Sequence, residues 1–272
     1  MGVIDVIDLH WPLGGQNRQM GFQNKAPYST PELLNVRNQD VFKQRLRGGS
    51  RPGLVQVLPP KTFAVDDPPG SDTFGPIDIT VSKDSYMAGH SSLDQNNYGS
   101  NSSCLIGNNS AVDNPLRTIM HFDLTTAIAS GSTITSASLS FYVGGSGVTS
   151  AIAAKVYRVI QTAWVENQVS WLVYSTGNAW GTIGCALDGT DYSTTTPTPV
   201  DWNFQVGGGW NTITGMAAFV QDAVTSRSRQ CHLLLRVADD SFATIGSNYS
   251  NVRSLQYADS TYHPKLTVEG TT

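Results

Sequence analysis

Charged side chains are scarce in this 272-residue chain, at 14 %, and so are cysteines, of which there are three. Few charges and abundant glycine argue against a helical protein, whose exposed faces need Lys, Glu and Arg. No apolar run approaches the roughly 20 residues of a spanning helix, so membrane insertion is not expected. The opening Met1-Gly2-Val3-Ile4-Asp5-Val6-Ile7-Asp8 carries acidic residues where a secretory signal needs basic ones, and Val6 occupies the position where myristoylation favours Ser or Thr. Cys104, Cys185 and Cys231 lie far apart with no C-x-x-C pair. Cys104 and Cys231 sit beside apolar residues and read as small core hydrophobes. An odd count without a signal suggests assembly in a reducing cytoplasm, with a single disulfide left open should the mature assembly be oxidised.

Catalytic patterns are missing too. The chain holds no H-E-x-x-H, G-x-S-x-G, P-loop or EF-hand sequence. His10, His90, His121, His232 and His263 lack ligand spacing. His121 and His232 fall inside strand patterns and read as structural residues. Asp66-Asp67 and Asp239-Asp240 are neighbours in turn sequence, where two carboxylates do not face each other as an acid–base pair must. A non-enzymatic role follows, with no obligatory cofactor.

What the chain does have is two unlike parts. Residues 1–61 are dense in breakers: Trp11-Pro12, Gly14-Gly15, Ala26-Pro27, Thr30-Pro31, Gly48-Gly49, Arg51-Pro52-Gly53 and Pro59-Pro60. Within them only 27–36 suggests a brief helical turn, with Ser29 or Thr30 as N-cap, Pro31 at the first helical position and Glu32 in the first turn. The stretch reads as an extended arm that docks on neighbours in an assembly, with Trp11, Gly14, Gly15, Tyr28, Pro31, Arg45, Arg47, Arg51 and Pro52 as its contact residues. It carries 8 Lys and Arg against 4 Asp and Glu, whereas residues 62–272 carry 9 against 17. The arm therefore complements the domain surface of its own kind, which suits contacts with copies of itself. A solvated basic tail is the plainer alternative. Nucleic acid is not an expected partner, because only Arg45, Arg47 and Arg51 cluster and no aromatics interleave with them.

Residues 62–76 read as a linker and 77–272 as the domain. Strand patterns occur at 77–82, 104–107, 116–123, 137–143, 153–160, 210–214, 231–238 and 264–268. Leu139, Phe141 and Val143 alternate with Ser138, Ser140 and Tyr142, as do Cys231, Leu233, Leu235 and Val237 with their neighbours. One helix is predicted over 215–226, where Met216, Phe219, Val220, Ala223 and Val224 make a single apolar stripe. About eight strands and one covering helix predict an all-β jelly-roll sandwich, preceded by the long extended N-terminal arm.

Two features point to ligands. The segment 91–103 gathers Asp94, Asn96, Asn97 and Asn101, oxygen donors of the kind Ca²⁺ accepts, although one carboxylate fits an Asx-rich turn better. Among the domain's aromatics, Tyr192 and Trp202 lie in Thr- and Pro-rich loop sequence and are the candidates for stacking on a host-surface glycan.

The ordered motifs Asp84; Asn97-Tyr98-Gly99-Ser100; Arg117 to Leu124; Ile134-Thr135-Ser136-Ala137-Ser138-Leu139; Val156-Tyr157-Arg158-Val159; Trp164-Val165-Glu166-Asn167-Gln168-Val169-Ser170-Trp171; Trp210; and Pro264 to Val268 make a further case. Over 78–269 they resemble the DNRLRE domain, a β-sandwich related to carbohydrate-binding modules and found in secreted, cell-surface and phage proteins. Trp164 and Trp171 belong to the family's motif, and the resemblance implies their burial. In the arm, Gly14-Gly15, Thr30-Pro31-Glu32, Asn35-Val36, Asp40 and Arg47 to Gly53 are similar to the opening of tail proteins of short-tailed bacteriophages, without the β-propeller of the tail nozzles. Together the resemblances imply a virion protein, tail-associated or a capsid decoration, held to other virion proteins by its arm. The alternative they leave open is a carbohydrate-binding module for host attachment.

Overall fold

The computed structural model describes residues 72–109, 114–146, 151–203, 207–239 and 248–272, so every reading made on residues 1–61 falls outside the described residues. In chain order the described elements are β1 (Thr73–Thr80), β2 (Lys83–Ala88), β3 (Ser103–Asn108), β4 (Pro115–Asp123), β5 (Thr133–Ser146), β6 (Ala153–Val159), β7 (Val173–Ser175), β8 (Asn178–Ala179), β9 (Tyr192–Ser193), β10 (Val200–Asn203), β11 (Gly209–Ile213), helix α1 (Ala217–Ser226), β12 (Gln230–Val237), β13 (Tyr249–Arg253) and β14 (Lys265–Thr271). Strand β1 begins at Thr73, within the stretch the sequence reads as linker.

All ladders between these strands are antiparallel. One layer is β1-β14-β5-β11, the other β2-β4-β12-β6-β10. Strands β13 and β3 link them, β13 pairing with the far end of β5 and β3 pairing with β4 through Gly107 and Asn108. The fold is an all-β sandwich with one short helix. Ile79, Leu139, Phe141, Leu266 and Val268 of one layer meet Met120, Phe122, Val156, Leu233 and Leu235 of the other in a single core. Helix α1 closes it, packing against β5 and β12 and burying Phe219, Val220, Ala223 and Val224, the stripe the sequence predicts.

The second layer is buried on its outer face as well. Residues on β4 alternate between the main core (Met120, Phe122) and a second one (Ile119), and β12 does the same with Leu234. The cover is the irregular segment 160–191, which lays Trp164, Val169, Trp171, Trp180 and Cys185 over Met87, Ile119, Tyr157 and Leu234. Its polar groups are paired, as burial requires. Trp164 Nε1 donates to His232 Nδ1 at 3.0 Å, Trp180 Nε1 to the Ser170 carbonyl at 2.9 Å, and Arg117 Nη1 to the Gly184 carbonyl at 2.7 Å. The buried Asp191 carboxylate accepts from the backbone N–H groups of Gly181, Thr182 and Leu187 at 2.8–3.0 Å, tying the loop shut.

Candidate functional site

Side chains of the segment 91–103 bond within the protein, to the loop itself and to the covering segment. Asn97 Nδ2 donates to the carbonyls of Glu166 (2.7 Å) and Val169 (2.8 Å), and its Oδ1 accepts from Gly99 N–H. Asn96 Nδ2 reaches the Tyr98 hydroxyl at 3.4 Å. Asn97, one of the four oxygen donors of the Ca²⁺ candidate, is thus a latch holding this loop to the covering segment. Among the described residues no three His, Cys, Asp or Glu side chains group to hold a metal.

Other titratable side chains are buried in the fold. His121 and His232 stack at 4.2 Å between ring centroids. Burial, then the nearby charges of His121 and Lys83, push His232 down to about 3, so it stays neutral and accepts the Trp164 N–H. This is the structural role expected from its strand position. All three cysteines are buried and free, and burial pushes their thiols up, Cys231 to about 12. Thiols held protonated are poor nucleophiles. Asp84 is fully buried; burial raises its carboxyl to about 7, against the pull of the Leu255 N–H that donates to Oδ2 at 2.8 Å.

The two aromatics predicted to be exposed are half-buried instead. Tyr192 lies on β9, edge-on to Tyr157 at 4.9 Å, packed against the second core. Trp202 lies on β10, its parity set by pairing with the buried Ala154, so its ring turns inward and meets Phe141 edge-on at 5.4 Å. The loop reading fails because four residues, Val200–Asn203, pair with β6 despite the prolines before them.

Among the described residues the exposed tryptophan is Trp210, at 45 %. On β11, Asn211 and Ile213 face inward and Trp210 and Thr212 outward. Trp210 stands opposite Tyr142 of β5 and meets its ring edge-on at 5.8 Å, with the Lys265 ammonium 5.8 Å from its centroid. Its signal was legible in the alternation: once Ile213 is assigned to the core, Trp210 has the opposite parity.

Trp202 and Trp210 share one site. Edge strands β10 and β11, from opposite layers, border a groove of about 570 Å³ lined by Asp201, Asn203, Asn211, Thr212 and Thr214, with Trp202 and Ile213 at its apolar side. Such a site offers an aromatic surface, hydroxyls, amides and one carboxylate at hydrogen-bonding range of a shared space. A carbohydrate presents the complementary set: an apolar C–H face and a rim of hydroxyls.

Residues 76–183 match the family model of carbohydrate-binding module family 96. The matched span runs from β1 through most of the covering segment and ends before β10 and β11. The chain thus contains a carbohydrate-binding-module-like domain. No curated protein matches the chain.

Proposed function

We propose that the sandwich is a non-catalytic glycan-binding module whose site is the groove between β10 and β11. The observation that carries this is the solvent-facing indole of Trp210 at the mouth of a polar groove, in a domain similar to a carbohydrate-binding family. Trp210 stacks on a sugar face, while Asp201, Asn203 and Thr212 take hydroxyl hydrogen bonds. The half-buried Trp202 supports the floor. Tyr192, packed on the second core, is left out of the site.

The test is retardation of the full chain in native gels containing barley β-glucan, xylan, galactomannan or polygalacturonate. At least one should retard it, and Trp210→Ala should weaken that interaction by about thirtyfold, as loss of a central aromatic anchor of about 2 kcal/mol implies. Equal retardation of Trp210→Ala and wild type in every gel would remove the groove from consideration.

A second reading concerns what carries the module. The basic, breaker-rich arm and its similarity to tail proteins of short-tailed phages support a virion protein, tail-associated or decorating a capsid, with residues 1–61 gripping neighbouring virion subunits. The stretch between residue 61 and β1 is then the linker, shorter than the 62–76 read from sequence because Thr73 already pairs with β14, and the sandwich projects outward to meet host-surface glycan. An arm that orders on assembly must offset roughly 1–2 kcal/mol of backbone entropy per residue, which extended contacts along a neighbour can supply.

A further inference from the structure

On the outer face of the β1-β14-β5-β11 layer, Trp210 is the first of a connected row of rings. Tyr142 lies 4.3 Å from Tyr262, and Tyr262 lies 5.9 Å from Tyr257, centroid to centroid. The row crosses from edge strand β11, over β5, to the turn that precedes β14. A cation backs each end: Lys265 beside Trp210, and the Arg253 guanidinium 4.2 Å from the Tyr257 ring. Gly144 makes room for the second, since a Cβ there would overlap that guanidinium. Neither Tyr142, Tyr257 nor Tyr262 is buried, and none belongs to a hydrophobic core cluster. Beside the row the same face is polar, with Ser140 hydrogen-bonded to Thr212, and Thr267 and Lys265 both donating to Asp78.

We infer that the row Trp210–Tyr142–Tyr262–Tyr257 continues the groove as a set of subsites, so that the module takes an extended polysaccharide chain along its length and not a terminal sugar. The inference rests on the glycan reading of the groove. Its own content is that a chain leaving the groove at Trp210 passes over Tyr262 and Tyr257. Rings joined in series by edge and tilted contacts are held in orientation by one another, so little side-chain freedom is lost on binding. An apolar row flanked by hydroxyls suits a chain of sugar rings, each with an apolar face and polar edges. A protein partner of this size of patch would need a broader apolar centre than one line of half-exposed rings.

The experiment uses the full chain with cello-, xylo-, manno- and galacturono-oligosaccharides of two and of six units, titrated calorimetrically. In at least one series the six-unit ligand should bind tenfold or more tightly than the two-unit one. Tyr262→Ala should abolish that gain while two-unit binding stays as in wild type, and Trp210→Ala should weaken both lengths. A second readout needs no variant: tetranitromethane nitration of Tyr262 and Tyr257 should be suppressed by the six-unit and not by the two-unit ligand. Equal affinity for both lengths, or unchanged nitration, overturns the row and leaves the groove standing. Absence of binding in all four series, or a Trp210→Ala variant that binds like wild type, overturns both readings. Suppression of nitration by raising protein concentration alone, with dimers in sedimentation, assigns the row to a second copy and overturns the inference.

Discussion

Asp84 and His232 are both buried, and their titrations pull stability in opposite directions. Asp84 titrates at about 7 in the fold against 3.8 in its absence, so its contribution is fully present below about pH 4 and is lost as pH rises through 7. His232 titrates at about 3 against 6.5, so its contribution is fully present above 6.5 and is lost as pH falls toward 3. Replacing Asp84 by Asn keeps an acceptor for the Leu255 N–H and removes the charge. Thermal melts should therefore show Asp84→Asn gaining on wild type as pH rises from 4 to 8, by at most a few kcal/mol. A difference that stays constant across that range would place the Asp84 titration elsewhere. Neither residue's environment could be read from its own neighbours in sequence. Asp84 meets Leu255 and Glu166, 171 and 82 positions away, and His232 meets Trp164, 68 away.

At the scale of elements, the covering segment 160–191 determines how the second layer is read. Because it buries the outer face, β4 and β12 lose much of the exposed polar side of the alternation that marks a half-buried strand, yet the apolar residues facing the main core, Met120 and Phe122 in β4 and Cys231, Leu233, Leu235 and Val237 in β12, still identify them. All eight strand patterns in the sequence are present, and the helix falls at Ala217–Ser226 inside the predicted 215–226. The strands that escaped are β2, β7, β8, β9, β10 and β13. In β2 the buried residues include Asp84 and Ser85, and in β13 Ser250, polar types that mask the pattern. Trp164 anchors the cover, 1 % exposed, with Lys83 Nζ 4.1 Å above its ring and donating to its carbonyl at 2.9 Å. Trp164→Ala should lower unfolding free energy by about 3–5 kcal/mol in denaturant titration and leave His232 without its donor. A loss below 1 kcal/mol would mean the cover is not integral to the fold.

For the whole molecule, the groove and the aromatic row are built from residues of the sandwich, so removal of residues 1–61 should leave glycan retardation and the melting transition of the domain intact. The same truncation should fail to enter particles if the virion reading holds. A truncated chain that incorporates normally would end the anchoring proposal, and one that unfolds would show that the arm is part of the domain's stability. Layer membership, burial of both faces of β4 and the position of the site are properties at this scale. Trp210 and Trp202 lie on strands from different layers, eight residues apart in sequence, and reach one groove because β11 pairs with β5 while β10 pairs with β6.

From the order of its residues alone the chain was committed to strands, to a sandwich class and to one amphipathic helix, because periodicity and side-chain size act locally or on average over the core; burial of Trp164 and Trp171 was implied by the family motif they belong to. The outward parity of Trp210 is already given by its alternation with Ile213 along β11. Tertiary pairing alone decided that Trp202 turns inward, through the ladder of β10 with β6, a long-range relation that composition of the surrounding loop does not encode. It also turned the Asn-rich segment into a latch, since the carbonyls that hold Asn97 arrive from 69 and 72 residues away.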